Sequence, residues 1–542
     1  MAAGVPPPDA WFRPAAEHPG ANAARAFAAP GADFLDRPIP ALFADICARQ
    51  PGAIALHSGN DTVNAAELRD RAHALAARLA RAAARGEGVG ILAHPGPDAP
   101  CAVLACLQAG CVALLLDPTH PPARIAAILD GAAVRVVLRS TTIAVPEDPA
   151  RTTIDIGGRD PAGVIDAGFV PAPLGPDAPA IVTYTSGSTG VPKGIVRSQR
   201  QMLARVRQKI VQFQLGPADR IASLYPASAG PGLTACLMAL LCGASFHPLE
   251  AGAGVFARIA AERITILTGI PALLRMLFAL DGAAPALASL RGVYTTSEAL
   301  LRSDAEAWRR VLPPDCTVLT GYGLTEGAPL ASWFIPPVIP PGPERLPIGH
   351  LNPDMEFAIA DSPAGRGELW VRSALLSLGE WQNGGCVPGR LLADPADPQT
   401  AILRTGDLVR PRADGLYDLL GRADAQTKIR GHRVEPAELA AVLRAGEGVL
   451  DAAAIAAGEG ADRALVAFVI PAPDQDQAAL RARLEARARE NLPAALRPAR
   501  IHLIGAIPRL PGGKTDTAAL ALIDAPAAPL LRRLARRVGL AG

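Results

Sequence analysis

Most marks of a metalloenzyme, a disulfide scaffold or a nucleic-acid binder are missing from these 542 residues. The eight cysteines (47, 101, 106, 111, 236, 242, 316, 386) include no C-x-x-C and mostly sit in apolar runs. That pattern points to buried free thiols in a reducing compartment. The nine histidines show neither H-E-x-x-H nor paired ligand spacing, which argues against a catalytic zinc site. Charges nearly cancel, at 53 Lys+Arg against 51 Asp+Glu, so no electrostatic case exists for a nucleic acid or an acidic surface as partner. The longest apolar run, from Leu233 to Cys242, covers roughly ten residues where a bilayer span needs about twenty, and no membrane span is expected. The N-terminus M-A-A-G-V-P-P-P-D-A has neither the basic start nor the apolar core of a signal peptide. A cytoplasmic protein is expected.

What is present is a folded chain long enough for two to four domains, with 50% hydrophobic and 19% charged residues. Residues 1–36 are rich in Ala and Pro and read as an extended N-terminal arm. An amphipathic helix begins near Ile39, and a short hairpin turns around Gly59, Asn60 and Asp61. Helices over 65–84, 99–109 and 122–131 alternate with strands over 88–92, 112–116 and 134–138. The alternation resumes with helices 199–212, 232–242, 255–261 and 271–279 between strands 220–224, 244–248 and 264–268. Such alternation predicts an α/β fold with parallel-rich sheets flanked by helices. The segments 361–373 and 418–420 look antiparallel, as in a β-barrel-like subdomain. From 425 to 522 the pattern changes to a small α+β domain with helices 437–444 and 476–490 and strands 451–456, 464–470 and 500–504. A basic tail, 523–542, closes the chain.

The stretch from Val182 to Val196 reads V-T-Y-T-S-G-S-T-G-V-P-K-G-I-V, an apolar strand, a hydroxyl-lined loop and a second strand. Gly187, Gly190 and Gly194 permit the close backbone approach that wrapping an anion requires. Thr185, Ser186, Ser188 and Thr189 offer hydroxyls, and Lys193 offers a compact positive charge. The loop suits a phosphate chain, yet Pro192 before and Gly194 after Lys193 break the Walker A pattern.

Four further stretches carry polar groups that a core does not need. G-Y-G-L-T-E-G (321–327) offers Glu326 as a ligand for magnesium and Tyr322 as a ring for stacking on a base. R-T-G-D-L (404–408) presents Asp407, suited to ribose hydroxyls. G-R-A-D-A-Q-T-K-I-R-G (421–431) sets charges between glycines, and P-G-G-K-T-D (511–516) holds Lys514. With V-N-A-A-E-L (63–68), the segment 107–124, S-E-A-L (297–300) and G-E-L-W-V-R-S (367–373), the set resembles the adenylate-forming superfamily. That superfamily holds acyl-CoA synthetases, luciferases and nonribosomal peptide synthetase adenylation domains. The resemblance runs from about residue 40 to 520 and is closest to the peptide-synthetase branch.

The resemblance implies that ATP and a carboxylic acid give an acyl-adenylate and pyrophosphate, after which the acyl group passes to a phosphopantetheine thiol. Thr185, Ser186, Gly187, Ser188, Thr189, Gly190 and Lys193 would grip the β and γ phosphates, with Thr185 counted among the catalytic groups and Glu326 aiding Mg2+. Gly321, Tyr322, Gly323 and Thr325, with a neighbouring strand of Ser297, Glu298 and Ala299, would frame adenine. Asp407 and Arg422 would hold the ribose. Lys514 would bridge the carboxylate and the α-phosphate, offsetting negative charge as the acid attacks phosphorus. No general base is required, because a carboxylate is ionised at neutral pH. The large domain would be 37–423, with the hinge at Asp424 and a small lid domain at 425–522. Rotation there would withdraw Lys514 and bring Gly431 to line the thiol tunnel, with Lys428 assisting.

Two departures from the family pattern stand out. Amino-acid-activating members carry an Asp near the start of the fourth core motif. Here Gly230 or its neighbours fall there, and no acid occurs from Ile221 to Pro248. A substrate without a conventionally recognised α-amino group is therefore expected, unless an acid elsewhere substitutes. The pocket is expected from Tyr225, Ala229, Gly230, Thr234, Thr296, Gly321 and Gly323. No L-G-G-x-S motif follows Lys514, so the phosphopantetheine would come from a partner, either a separate carrier protein or CoA. The tail A-P-L-L-R-R-L-A-R-R-V reads as a terminal helix or linker stub, with carrier docking or a membrane surface as the other options. A degenerate homologue that binds nucleotide without turnover is the reading of a different class. Retention of Thr185, Lys193, Glu326, Asp407, Arg422 and Lys514 argues against it.

Overall fold

The computed structural model describes residues 13–14, 27, 29–59, 61–157, 168–185, 192–252, 254–327, 329–339, 341–343, 345–360, 365–422, 427–429, 432–434, 436–458, 463–508 and 515–524. The chain divides into two compact units, the larger ending before residue 425 and the smaller made from the residues after it. The fold is mixed α/β, with parallel-rich sheets, an antiparallel sheet and a small C-terminal unit, as the alternation of elements predicts.

Two large sheets carry the first unit. One runs in the order His350–Leu351, Pro329–Ile335, Thr317–Gly323, Gly292–Thr295, Ile266–Gly269, Arg220–Ser223, Ser245–Pro248, Ile54–Ser58, Asp61–Asn64. Its interior pairs from Ile54–Ser58 to Thr317–Gly323 are all parallel. The second is parallel over Thr152–Asp155, Val136–Arg139, Gly88–Leu92, Val112–Leu116 and Pro179–Thr185. It then turns antiparallel through Lys193–Ser198, Gly379–Gln382 and Gly385–Val387. Parallel strands have both faces covered by helices, which is why Val112–Leu116 (V-A-L-L-L) is buried at every position. A third, antiparallel sheet is built from Glu356–Ala360, Gly367–Ser373, Ala401–Pro411 and Tyr417–Arg422.

One local expectation is corrected. The segment 297–299 is not a strand: the strand ends at Thr295, and Ser297 sits at φ 78°, a left-handed conformation costly for a residue with a side chain. The stretch read as an N-terminal arm contributes Arg13–Pro14, paired antiparallel with Phe357 and Glu356, and Phe34, which is buried in the main core. Apolar Phe34 finds a partner surface that a Pro/Ala-rich composition does not reveal. All eight cysteines are free, six of them buried.

Two of the histidines scattered in sequence meet in space. The parallel register Leu56↔Phe246 sets His57 beside His247, with ring centroids 5.4 Å apart. His247 Nδ1 lies 2.7 Å from Glu262 and its Nε2 lies 2.8 Å from Ser245 Oγ, while Arg258 donates to Glu262 at 2.8 Å. Burial lowers the His247 pKa against the opposing pull of Glu262.

The smaller unit packs helices Pro436–Arg444 and Gln477–Asn491 on a sheet of Val449–Ala457, Ala464–Pro471 and Arg500–Leu503. Its core includes Leu439, Leu443, Leu465, Val469, Leu480 and Leu484. Asp476 caps the second helix through the amides of Ala478 and Ala479. Lys428 lies in the two-stranded ribbon of Thr427–Ile429 and His432–Val434, opposite Arg433. Among the described residues, no helix is long and apolar enough to cross a membrane.

Candidate active site

The loop that opens the phosphate motif leaves from one strand and returns on its antiparallel neighbour. Pro179–Thr185 and Lys193–Ser198 are paired so that Thr185 stands opposite Lys193. Ser186, Gly187, Ser188, Thr189 and Gly190 lie outside the described residues. Gly194 is required by close packing, since a Cβ there would come within 2.8 Å of Val182 and 3.0 Å of Tyr184. Lys193 Nζ is 3.7 Å from Glu380 Oε1, on the strand next in the sheet. Glu380, like Arg197 and Arg390 below, belongs to no motif that the sequence flags.

Arg197 stitches this hairpin to the G-Y-G-L-T-E-G stretch. Its guanidinium is 2% exposed, donating to Thr183 Oγ1 at 2.9 Å and to the Thr325 carbonyl at 2.5 Å. Burial holds its pKa below the usual arginine value, against the opposing effect of Glu326. The adjacent Glu326 is buried at 4% exposure, its carboxylate 3.4 Å from Arg390 Nη1 and its carbonyl receiving the Ser377 amide at 2.7 Å. Its oxygens are hard donors of the type that suits Mg2+.

A second cluster joins residues far apart in sequence. Tyr322, at the end of Thr317–Gly323, donates its hydroxyl to Asp407 Oδ2 at 2.5 Å. Arg422 Nη1 donates to Asp407 Oδ1 at 2.8 Å across the antiparallel pair that sets the two residues opposite each other. Asp407 is buried at 4% exposure, so its charge is matched inside the chain. Burial first, then the Asp407 charge, pushes the Tyr322 hydroxyl well above its ordinary pKa, keeping it a donor. Glu368 accepts the Gly406 amide at 2.9 Å and an Arg404 N–H at 2.6 Å, fixing the turn before Asp407. Glu368 sits in a motif noted for its resemblance, G-E-L-W-V-R-S, without an expected role. Each Asp407 oxygen retains lone-pair capacity for a hydroxyl donor, which fits a ribose.

Gly321, directly before Tyr322 in the same strand, belongs to the residues expected for the acid. Tyr225 donates to the Thr296 carbonyl at 3.0 Å and accepts its amide at 3.2 Å, while Thr296 Oγ1 donates to the Gly321 carbonyl at 2.8 Å. Gly321 must be glycine, because a Cβ would stand 2.7 Å from the Tyr294 hydroxyl. Gly323 falls at an irregularity in the pairing with Pro329–Ile335. Ala229 is the N-cap and Gly230 the first residue of helix Gly230–Cys242, with Thr234 bonded back to the Gly230 carbonyl at 2.8 Å. A Cβ on Gly230 would meet open space, whereas Gly232 packs on the Tyr225–Pro226 backbone. Glu298 accepts the Ala272 amide at 3.2 Å, at the start of helix Pro271–Phe278, and Ala299 follows it.

The model of the AMP-binding enzyme family matches residues 43–381, and that of the AMP-binding enzyme C-terminal domain matches residues 438–514. The chain belongs to the AMP-binding enzymes. It is similar to phosphinothricin tripeptide synthetase PhsC of Streptomyces viridochromogenes at 30% identity over 89% of this chain and 45% of that one. This AMP-binding enzyme thus spans less than half the length of that curated relative. Its fold matches NpsA-ThdA, an artificially fused adenylation-PCP di-domain from Klebsiella oxytoca, with a TM-score of 0.74 and 22% identity over 86% and 93% of the two chains. A malonyl-CoA ligase with methylmalonyl-CoA and AMP bound matches with a TM-score of 0.71 and 25% identity, over 84% of this chain and 97% of that one. The hinge residue Asp424, the tunnel residue Gly431 and Lys514 of this AMP-binding enzyme lie outside the described residues, as does the Lys428 side chain.

Proposed function

We propose that the enzyme uses ATP to activate a carboxylic acid as its acyl-adenylate, releasing pyrophosphate, and then passes the acyl group to the phosphopantetheine thiol of a separate carrier protein. The observation that carries this is the buried Asp407, matched by Tyr322 and Arg422 and fitted to ribose hydroxyls, with Tyr322 directly following Gly321 of the Tyr225–Thr296–Gly321 group in one strand. Thr185 and Lys193, at the two ends of the phosphate loop, grip the leaving pyrophosphate. Glu326 holds Mg2+, which when bound offsets phosphate charge. Lys514 bridges the attacking carboxylate and the α-phosphate, and the turn at Asp424 exchanges it for the Lys428–Gly431 segment in the second half-reaction.

The acid lacks a conventionally recognised α-amino group. Residues 221–248 contain no carboxylate to partner an ammonium, and an unpartnered buried ammonium costs several kcal/mol. Pyrophosphate exchange with the proteinogenic amino acids tests this, and strong exchange with any of them refutes it. Transfer to free CoA is the second reading, supported by the malonyl-CoA ligase among the structural neighbours. Mass spectrometry of the acyl-thioester formed on an added carrier, against CoA, separates the two. Lys514→Ala is expected to cut adenylation by about 100-fold or more while sparing transfer from preformed adenylate. Equal loss of both half-reactions contradicts that division of labour.

A further inference from the structure

Helix Gln199–Phe213 starts at a Ser198/Gln201 capping box and carries Arg205 and Lys209 one turn apart on the same face. Lys209 is 1% exposed. Its ammonium donates to Gln212 at 2.7 Å and lies 4.4 Å from the centroid of the Tyr294 ring. Arg205 keeps part of its surface accessible, and among the described residues it forms no hydrogen bond or ion pair. Tyr294 is the same ring that meets Gly321, so Lys209 lies one ring away from the Tyr225–Thr296–Gly321 group, and Arg205 acts electrostatically on that same tyrosine.

Among the described residues, no carboxylate is among the charges that act on either cation. Asp219 is held by two N–H groups of Arg291 at 2.7 Å each, and Glu298 caps helix Pro271–Phe278. The interaction that Lys209 feels from Arg205 is repulsive. A buried lysine beside a like charge and without an anion carries a desolvation cost, and neither cation contributes to the Tyr225–Thr296–Gly321 bonding. A pair kept for packing alone is served as well by Met or Leu, which carry no desolvation cost.

We propose that Arg205 and Lys209 receive a second anionic group on the acid, so that the substrate is a dicarboxylic acid whose distal carboxylate lies at this pair. This rests on the adenylation reading above. A guanidinium takes a carboxylate through parallel N–H donors, and an ammonium adds a point charge. Burial draws the Arg205 pKa to about 10 and that of Lys209 to about 7, so an incoming carboxylate restores full charge to the lysine.

The test is pyrophosphate exchange by the full chain with MgATP. Aliphatic and aromatic dicarboxylic acids are compared with monocarboxylic acids in which a methyl replaces the distal carboxylate. Thermal stabilisation by the same acids is measured in parallel. The expected result is a kcat/KM for the preferred dicarboxylate about 100-fold above its monocarboxylic match, with that ratio falling by a similar factor in Arg205→Met and in Lys209→Met. Unliganded Lys209→Met should melt no lower than wild type, which separates this role from a structural one. Exchange that favours monocarboxylates, or a ratio that both substitutions leave unchanged, overturns the inference and leaves adenylation intact. Stabilisation by dicarboxylates that is lost in Arg205→Met, without exchange, sustains the anion site and sinks adenylation. Absence of both exchange and stabilisation overturns the two together.

Discussion

Two neighbouring clusters, one at Tyr322 and one at Tyr294, treat charge in opposite ways. At Tyr322, Asp407 meets Tyr322 on one oxygen and Arg422 on the other, and the buried charges cancel within the chain. At Tyr294, Lys209 and Arg205 stand together and, among the described residues, pair with no carboxylate. A site that is already neutral suits a neutral partner such as a sugar hydroxyl. One left positive is complementary to an anion that arrives with the ligand. The contrast also predicts opposite signs for substitutions in the two clusters.

Asp407→Ala strands Tyr322 and Arg422 in the interior, and is expected to destabilise by about 3–5 kcal/mol with loss of exchange, measured by chemical denaturation and pyrophosphate exchange. Tyr322→Phe removes one charge-assisted bond and should cost about 1.5–3 kcal/mol, raising KM for ATP more than KM for the acid. An effect of either substitution equal to that of Lys209→Met would erase the contrast.

Lys209→Met, in the other cluster, should stabilise the unliganded protein by about 1 kcal/mol or more at neutral pH. That gain should depend on pH with a defined sign. Burial lowers the folded pKa of Lys209 from 10.5 to about 7, with Arg205 adding to the effect. Between those values the unfolded lysine holds a proton that the folded one lacks, so stability from this group rises with pH. The gap between variant and wild type should therefore widen as pH falls from about 10 towards 7. Denaturation at several pH values checks it, and a gap that narrows on acidification refutes the assignment.

Elements that depend on near neighbours in the chain were legible before any coordinates. The helix over 199–213, the hairpin around residue 60 and the strand pair flanking the phosphate loop follow from periodicity, capping and glycine placement. Reading 297–299 as a strand failed because the turn after Thr295 is set by a positive φ at Ser297 and by Glu298 capping a helix 26 residues earlier in the chain. Polar residues of that kind look the same in a strand edge as in a loop. The motifs around 185–193, 321–327 and 404–408 marked Tyr322 and Asp407 separately, but nothing in the sequence said that they touch.

By itself the sequence determined the α/β order of elements, the family and the absence of an acid between residues 221 and 248, because these depend on residue type and short-range spacing. Only the tertiary structure decided that Tyr322 meets Asp407 across 85 positions and Arg197 meets Thr325 across 128. It alone set Lys209 against Tyr294. Sheet register and helix packing choose those neighbours, and burial then turns ordinary side chains into charges that must be matched by the chain or by what it binds.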